Sequence, residues 1–173
     1  MMARPVLAVA GMFFCAALPA LGQQPAPSAS PPTAPPRTPY GAPITLEAAK
    51  RAMAAAEAGA ARNNWPVAIA IVDSGGHLVL SQRLDNTQLG SIRLTEGKAR
   101  TALEFRRPTK AIQDVIAAGG GGLWWLRVDD ITILEGGVPI QVDGKIVGAI
   151  GASGVLSSED AQVARAGADA LAK

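Results

Sequence analysis

The sequence predicts an α+β domain in which one central antiparallel sheet of about five strands is flanked by helices, in the order α-β-β-α-α-β-β-β-α. Two observations lead there. Short β-branched runs flank two turn signals, one over residues 73–76 and one at Asp143-Gly144, and so pair as hairpins. Apolar residues at helical spacing fill the segments before, between and after those runs.

The first helix begins at Leu46, with Thr45 as its cap and Glu47 favourable in its first turn. Leu46, Ala49, Met53, Ala56 and Ala60 form its apolar face, and Asn63-Asn64 ends it. Residues 67–72 (VAIAIV) read as a buried strand, and residues 78–83 as a half-buried one. Ser91 is the expected cap of a second helix running to about Phe105. Pro108 stops that helix, and Thr109 is expected to cap a short third one ending near Ala118. Residues 119–122 are all glycine and read as a mobile loop before Leu123-Trp124-Trp125-Leu126. Residues 131–134 (ITIL), 138–142 and 145–151 are strand candidates. Ser157 and Asp160 give a capping pattern for a last helix, to about Ala172.

Residues 1–22 read as a secretory signal: Arg4, then an apolar run over 6–18 that is short for a membrane span, then Ala20 and Gly22 at the positions a signal peptidase reads. Residues 23–43, rich in Pro, Ala and Ser, read as a disordered linker. That leaves residues 44–173 as one domain, exported to the periplasm or beyond the cell. Cys15 is the only cysteine and lies in the signal, so the expected mature chain has no disulfide, thiolate nucleophile or Cys-ligated metal. Without Arg4 the chain carries 15 basic against 14 acidic residues. That balance, with no basic cluster interleaved with aromatics, leaves no footprint for nucleic acid.

Few residues invite chemistry. His77 is the only histidine. Beside Gly75 and Gly76 it is either a turn residue or a ligand, and Asp73 is close enough in sequence to pair with it. A zinc site built from several histidines needs a second subunit. No nucleophile elbow and no HExxH motif occurs. Gly148, Gly151 and Gly154 lack dinucleotide-fingerprint spacing and fit close packing in a strand, although residues 151–154 can also present N–H groups to an anion. Lys98, Arg100 and Thr101, with Arg106-Arg107 at the helix end, form either a solvated face or a polar wall for a carboxylate.

Three stretches in order, VAIAIVDSGGHLVLSQRLD, LGSIRLTEGKARTALEFRRPT and GGVPIQVDGKIVGAIGASG, resemble the GlcG/HbpS family, the haem-degrading or haem-binding domain family. The resemblance covers residues 44 to 172. It implies a profilin-like α+β sandwich, homo-oligomers of two or more copies, and in exported members haem binding, haem degradation or redox sensing. Other members stand in glycolate or corrinoid contexts. The matching positions are Asp73, Gly76, His77 and Leu78, then Lys98, Ala99, Arg100, Thr101, Phe105, Pro108 and Thr109, then residues 136–140, Gly144 and residues 148–154. Two departures stand out: Gly97 replaces a bulkier apolar residue, and residues 119–125, with two tryptophans, follow no family pattern.

The resemblance therefore implies an exported protein for haem or another tetrapyrrole. His77 is then the candidate axial ligand; Lys98, Arg100, Arg106 and Arg107 are the cations for the propionates. Thr101 would contact iron or a bound ligand, and Trp124 and Trp125 would cover the porphyrin face. A rival reading is an enzyme or binding protein for a small carboxylate, with Asp73 and His77 as an acid–base pair and Lys98 or Arg100 as anchor. A third is a non-catalytic oligomeric interaction module.

Overall fold

The computed structural model describes residues 37–172. The expected signal and most of the expected linker lie outside the described residues. The elements are α1 (Leu46–Arg62), β1 (Ala68–Asp73), β2 (Leu78–Arg83), α2 (Leu89–Glu104), α3 (Thr109–Ala117), a 3-10 helix (Gly120–Arg127), β3 (Gly137–Val142), β4 (Lys145–Ser153) and α4 (Ser157–Asp169). One antiparallel sheet of four strands runs in the order β2-β1-β4-β3. The α+β class stands, with four strands in place of the expected five.

The missing strand is 131–134, which is irregular. Its β-branched residues satisfy a strand pattern, but its polar groups are claimed by side chains. Thr132 donates its N–H to Thr101 Oγ1 at 2.8 Å, and Glu135 donates its own to Gln113 Oε1 at 2.7 Å. Those contacts hold it across α2 and α3 rather than along a ladder. Of residues 119–122, expected as a mobile loop, Gly119 instead caps the 3-10 helix and residues 120–122 begin it. A side chain at Gly122 would run into the backbone of Val115, 2.2 Å from its oxygen.

Both hairpins form where the turn chemistry places them. Asp143 (φ 49°) and Gly144 (φ 70°) make the two-residue turn between β3 and β4. At the β1–β2 turn, Asp73 Oδ1 accepts from the N–H groups of Gly75 (2.8 Å) and His77 (3.0 Å). Gly76 there takes φ +84°, which glycine adopts without strain.

The sheet separates two apolar layers. Ile69, Ile71, Ile140 and Ile150 pack on Ala52, Met53 and Ala56 of α1 and on Val163 and Ala164 of α4. Val72, Ile146 and Ala149 pack on Ala99, Ala102 and Leu103 of α2. Each isoleucine so buried contributes about 2 kcal/mol. The α2 contact is close because Gly137 and Gly151 face each other in the β3–β4 register. A Cβ at Gly151 would lie 2.1 Å from Thr95 O, and one at Gly137 2.2 Å from Lys98 O. The sheet glycines therefore serve helix packing, and α2 rests directly on backbone.

Helix starts differ from the expected caps in three places. α2 begins three residues early, so Ser91 lies inside it and takes a hydrogen bond from Gln88 Nε2. Thr109 is the first residue of α3 and its hydroxyl accepts from Gly137 N at 3.0 Å, tying α3 to β3. At α4 the reciprocal contact is made by Glu159, which accepts from Leu156 N at 3.1 Å. That leaves Asp160 for another task. Only Thr45 caps as expected, accepting from Ala48 N.

Residues 39–44, ahead of α1, lie along β4. Gly41 donates to Ile146 O and Ile146 to Pro39 O, at 2.8 and 2.9 Å. The strap takes up β4 where pairing with β1 has ended at Asp73–Gly148.

Candidate functional site

Residues within one turn of α2 go to different surroundings. Lys98 was expected on a polar wall; it is instead 1% exposed, with Nζ 2.8 Å from Asp160 Oδ2 and 3.0 Å from Ala152 O. It reaches α4 past Gly136, whose missing Cβ would sit 2.8 Å from Nζ. Its charge is spent inside the fold, so it anchors no surface carboxylate. Burial pushes the Asp160 carboxyl above its ordinary value of 3.8, and the Lys98 ammonium and the N–H of Val155 oppose this without cancelling it. Asp160 is a residue that pattern reading missed as a partner, because it stood where a cap was expected.

Arg100 lies on the outer side of α2, its guanidinium 2.7 Å from Glu96 one turn back. With Arg93, Glu104 and Asp130 it lines a broad charged hollow. Thr101 is fully buried, its hydroxyl taken by Thr132 N. A contact from Thr101 to iron or a bound ligand therefore requires this buried site to open.

His77 stands at the hairpin tip with 83% of its side chain exposed and Nδ1 3.4 Å from Asp73 Oδ1. Desolvation raises the Asp73 carboxyl, but the N–H groups of His77 and Gly75, with the imidazole, together hold it below 3.8. The tip is thus stiffened by the carboxylate at its base, and the ring is available on its other side.

Aromatic residues gather at the end of α2. Trp124 stacks on Trp125, with ring centroids 4.4 Å apart and planes 24° apart. Trp125 in turn meets the Phe105 ring edge-on at 4.7 Å. Trp125 is buried while Trp124 is 54% exposed, between the exposed Leu123 and Leu126. Arg107 Nε donates to Phe105 O at 3.2 Å. Arg106 lies over the Tyr40 ring at 4.3 Å, and the Tyr40 hydroxyl donates to Leu103 O at 2.8 Å. The fold thus brings Arg106, Arg107, Trp124 and Trp125 to one helix end and sets Lys98, Arg100 and Thr101 apart from them. Tyr40 was not a sequence candidate, since nothing local links it to a helix 63 residues on.

An α/β/α sandwich with an exposed hairpin imidazole and an aromatic helix end is the class of molecule these residues build. Comparison with known proteins places it. The chain belongs to the HbpS-like haem-degrading protein family, which matches residues 44–169. It is 41% identical over 110 residues to Protein GlcG of Escherichia coli K12, spanning 64% of this chain and 81% of that one. The fold is similar to that of an HbpS double mutant from Streptomyces reticuli, at TM-score 0.70 and 31% identity, covering 84% of this chain and 99% of the other. It is also similar to the protein in a structure of a PduOC:heme complex, at TM-score 0.67 and 26% identity, covering 74% and 94%. The family is haem-associated. Among the described residues no helix is long and apolar enough to cross a membrane.

Proposed function

We propose that this protein is an exported haem- or tetrapyrrole-binding member of its family. The observation that carries the proposal is the stepped aromatic stack of Trp124, Trp125 and Phe105 at the end of α2. A half-exposed indole face flanked by leucines suits a flat apolar macrocycle, and Arg107 beside it suits a carboxylate arm. These residues fit such a group at a surface rather than in a closed slot. His77 is the candidate axial ligand, with Asp73 placed to orient the ring through Nδ1. Haem supplies an iron centre and a planar hydrophobic face. At 83% exposure the imidazole has no enclosure within its own copy, so this reading includes a homo-oligomer whose second copy completes the site.

The test is titration of the full chain with haemin. The expected result is a Soret shift that saturates at one haem per chain and weakens in Trp124→Ala. His77→Ala should alter the band position; an unchanged spectrum in that variant removes His77 as ligand. No Soret change at stoichiometric haemin would refute the proposal.

A further inference from the structure

Arg106 sits where a helix strongly prefers glycine. Beyond the α2 C-cap at Phe105, Arg106 donates to Leu103 O and Arg107 to Ala102 O, at 3.1 and 3.2 Å. That pair of bonds defines a helix end whose first outside residue must be left-handed, and Arg106 has φ 52°. A side chain there is held at a cost in backbone strain, which draws attention to what the side chain reaches.

It reaches a hollow of about 340 Å³ between the α2 end, β3 and α4. Arg106 and Arg165 line it together with the Gln141 amide and the apolar Val138 and Pro139. Asp169 is the one acidic residue in the lining, so the hollow carries two positive charges against one negative. Among the described residues Arg106 has no carboxylate partner, and Arg165 stands a loose 3.9 Å from Glu135. Arg106, resting on the Tyr40 ring with no carboxylate partner, and the loosely paired Arg165 stand beside an apolar wall, and such a set suits one carboxylate on a short apolar body.

We infer that this hollow is a carboxylate-binding site, with Arg106 and Arg165 as the charge pair and Val138 and Pro139 as the seat of the apolar body. It involves neither the hairpin imidazole nor the tryptophan stack. The carboxylate belongs either to a free short-chain acid or to the propionate arm of a bound tetrapyrrole.

Butyrate and its neutral amide, butyramide, are the probes, read by amide chemical shifts of the full chain. Butyrate is expected to shift the Gln141 and Ala168 signals in a saturable way, and butyramide is not. Arg165→Gln and Arg106→Asn should each weaken butyrate about tenfold or more. Asn tolerates the left-handed backbone, so the helix end survives that change. Arg106→Gly should lose binding while raising the melting temperature, a combination that a purely structural arginine would not give. Equal shifts from butyramide, or unchanged butyrate affinity in both charge variants, overturns the inference. Adding haemin to the butyrate complex separates the two sources: displacement assigns the site to a propionate, and joint binding assigns it to a free acid. Because the haem proposal is read from the Soret band, it can fail while the butyrate shifts stand, and the reverse.

Discussion

Gly97 and Thr132 share one small volume. A Cβ at Gly97 would lie 2.2 Å from Thr132 Oγ1 and 3.2 Å from Thr132 Cβ. In isolation Gly97→Ala should stabilise α2 by about 1 kcal/mol. Here the added carbon meets a side chain already bound at its own N–H by Thr101, and overpacking of this kind costs about 1–3 kcal/mol. The expected net effect is a loss of about 1 kcal/mol for Gly97→Ala, shrinking or reversing in a Thr132→Ala background, measured by denaturant unfolding of all four variants. From the sequence, Gly97 looks like a weakness in a helix. Its reason lies 35 residues away in a segment with no regular structure, and no local pattern carries that pairing. The same holds for Lys98 and Asp160: charge and helical phase identify each residue, but only the path past Gly136 says that they meet.

Among the elements, α2 is the most constrained. It lies on two facing glycines of the sheet and is tied to α4 by a buried ion pair, so three elements share one contact region. Removing one partner of such a pair strands a charge and costs about 3–5 kcal/mol, while replacing both by apolar groups costs far less. Lys98→Met and Asp160→Leu are each expected to destabilise by about that amount, and the double variant to recover much of the loss. A double-mutant cycle in urea checks this; additive losses would mean that the pair does not couple α2 to α4. Element identity was legible wherever local chemistry decides it: the VAIAIV strand, the Asp-Gly hairpin and the Thr45 cap all read directly. Segment 131–134 was not legible, because alternation and β-branching report what a strand needs and not whether a neighbour is free to pair. Helix starts at α3 and α4 were misplaced for a related reason: the Thr109 hydroxyl and Asp160 carboxyl serve tertiary partners instead of the first turn, while at α2 the Ser91 hydroxyl meets only Gln88 inside that turn.

The whole molecule has a stiff centre and chemically provided ends. β4 and β1 are paired on both sides, and the edges are β2 and β3. β2 is exposed along most of its length, with Leu78 among the exposed apolar residues, and the tryptophan end adds Leu123, Trp124 and Leu126. Exposed apolar surface of this kind supports self-association. The protein is therefore expected to sediment as a dimer or larger homo-oligomer, and Trp124→Glu or Leu78→Glu to lower the mass measured by light scattering. A monomer in the wild type would also remove the shared haem site proposed above. The likeness to the family was readable in the hairpin, helix and return-strand motifs, because those motifs are the packing contacts of one sandwich. The candidate site was less so: Trp124, Trp125, Arg106 and Arg107 stand out by type, while their common location depends on how α2 ends.

The strap over residues 39–44 bears on where the chain can be trimmed. Two main-chain bonds to Ile146 and the Tyr40 hydroxyl on Leu103 and Glu104 fasten it to β4 and α2. A protease cutting ahead of Pro39 leaves every one of those contacts intact. Trimming to Ile44, where the family match begins, would strip away the aromatic ring on which Arg106 rests. If the chain is exported as proposed, the place of cleavage would decide whether Arg106 in the hollow keeps the Tyr40 ring beneath it.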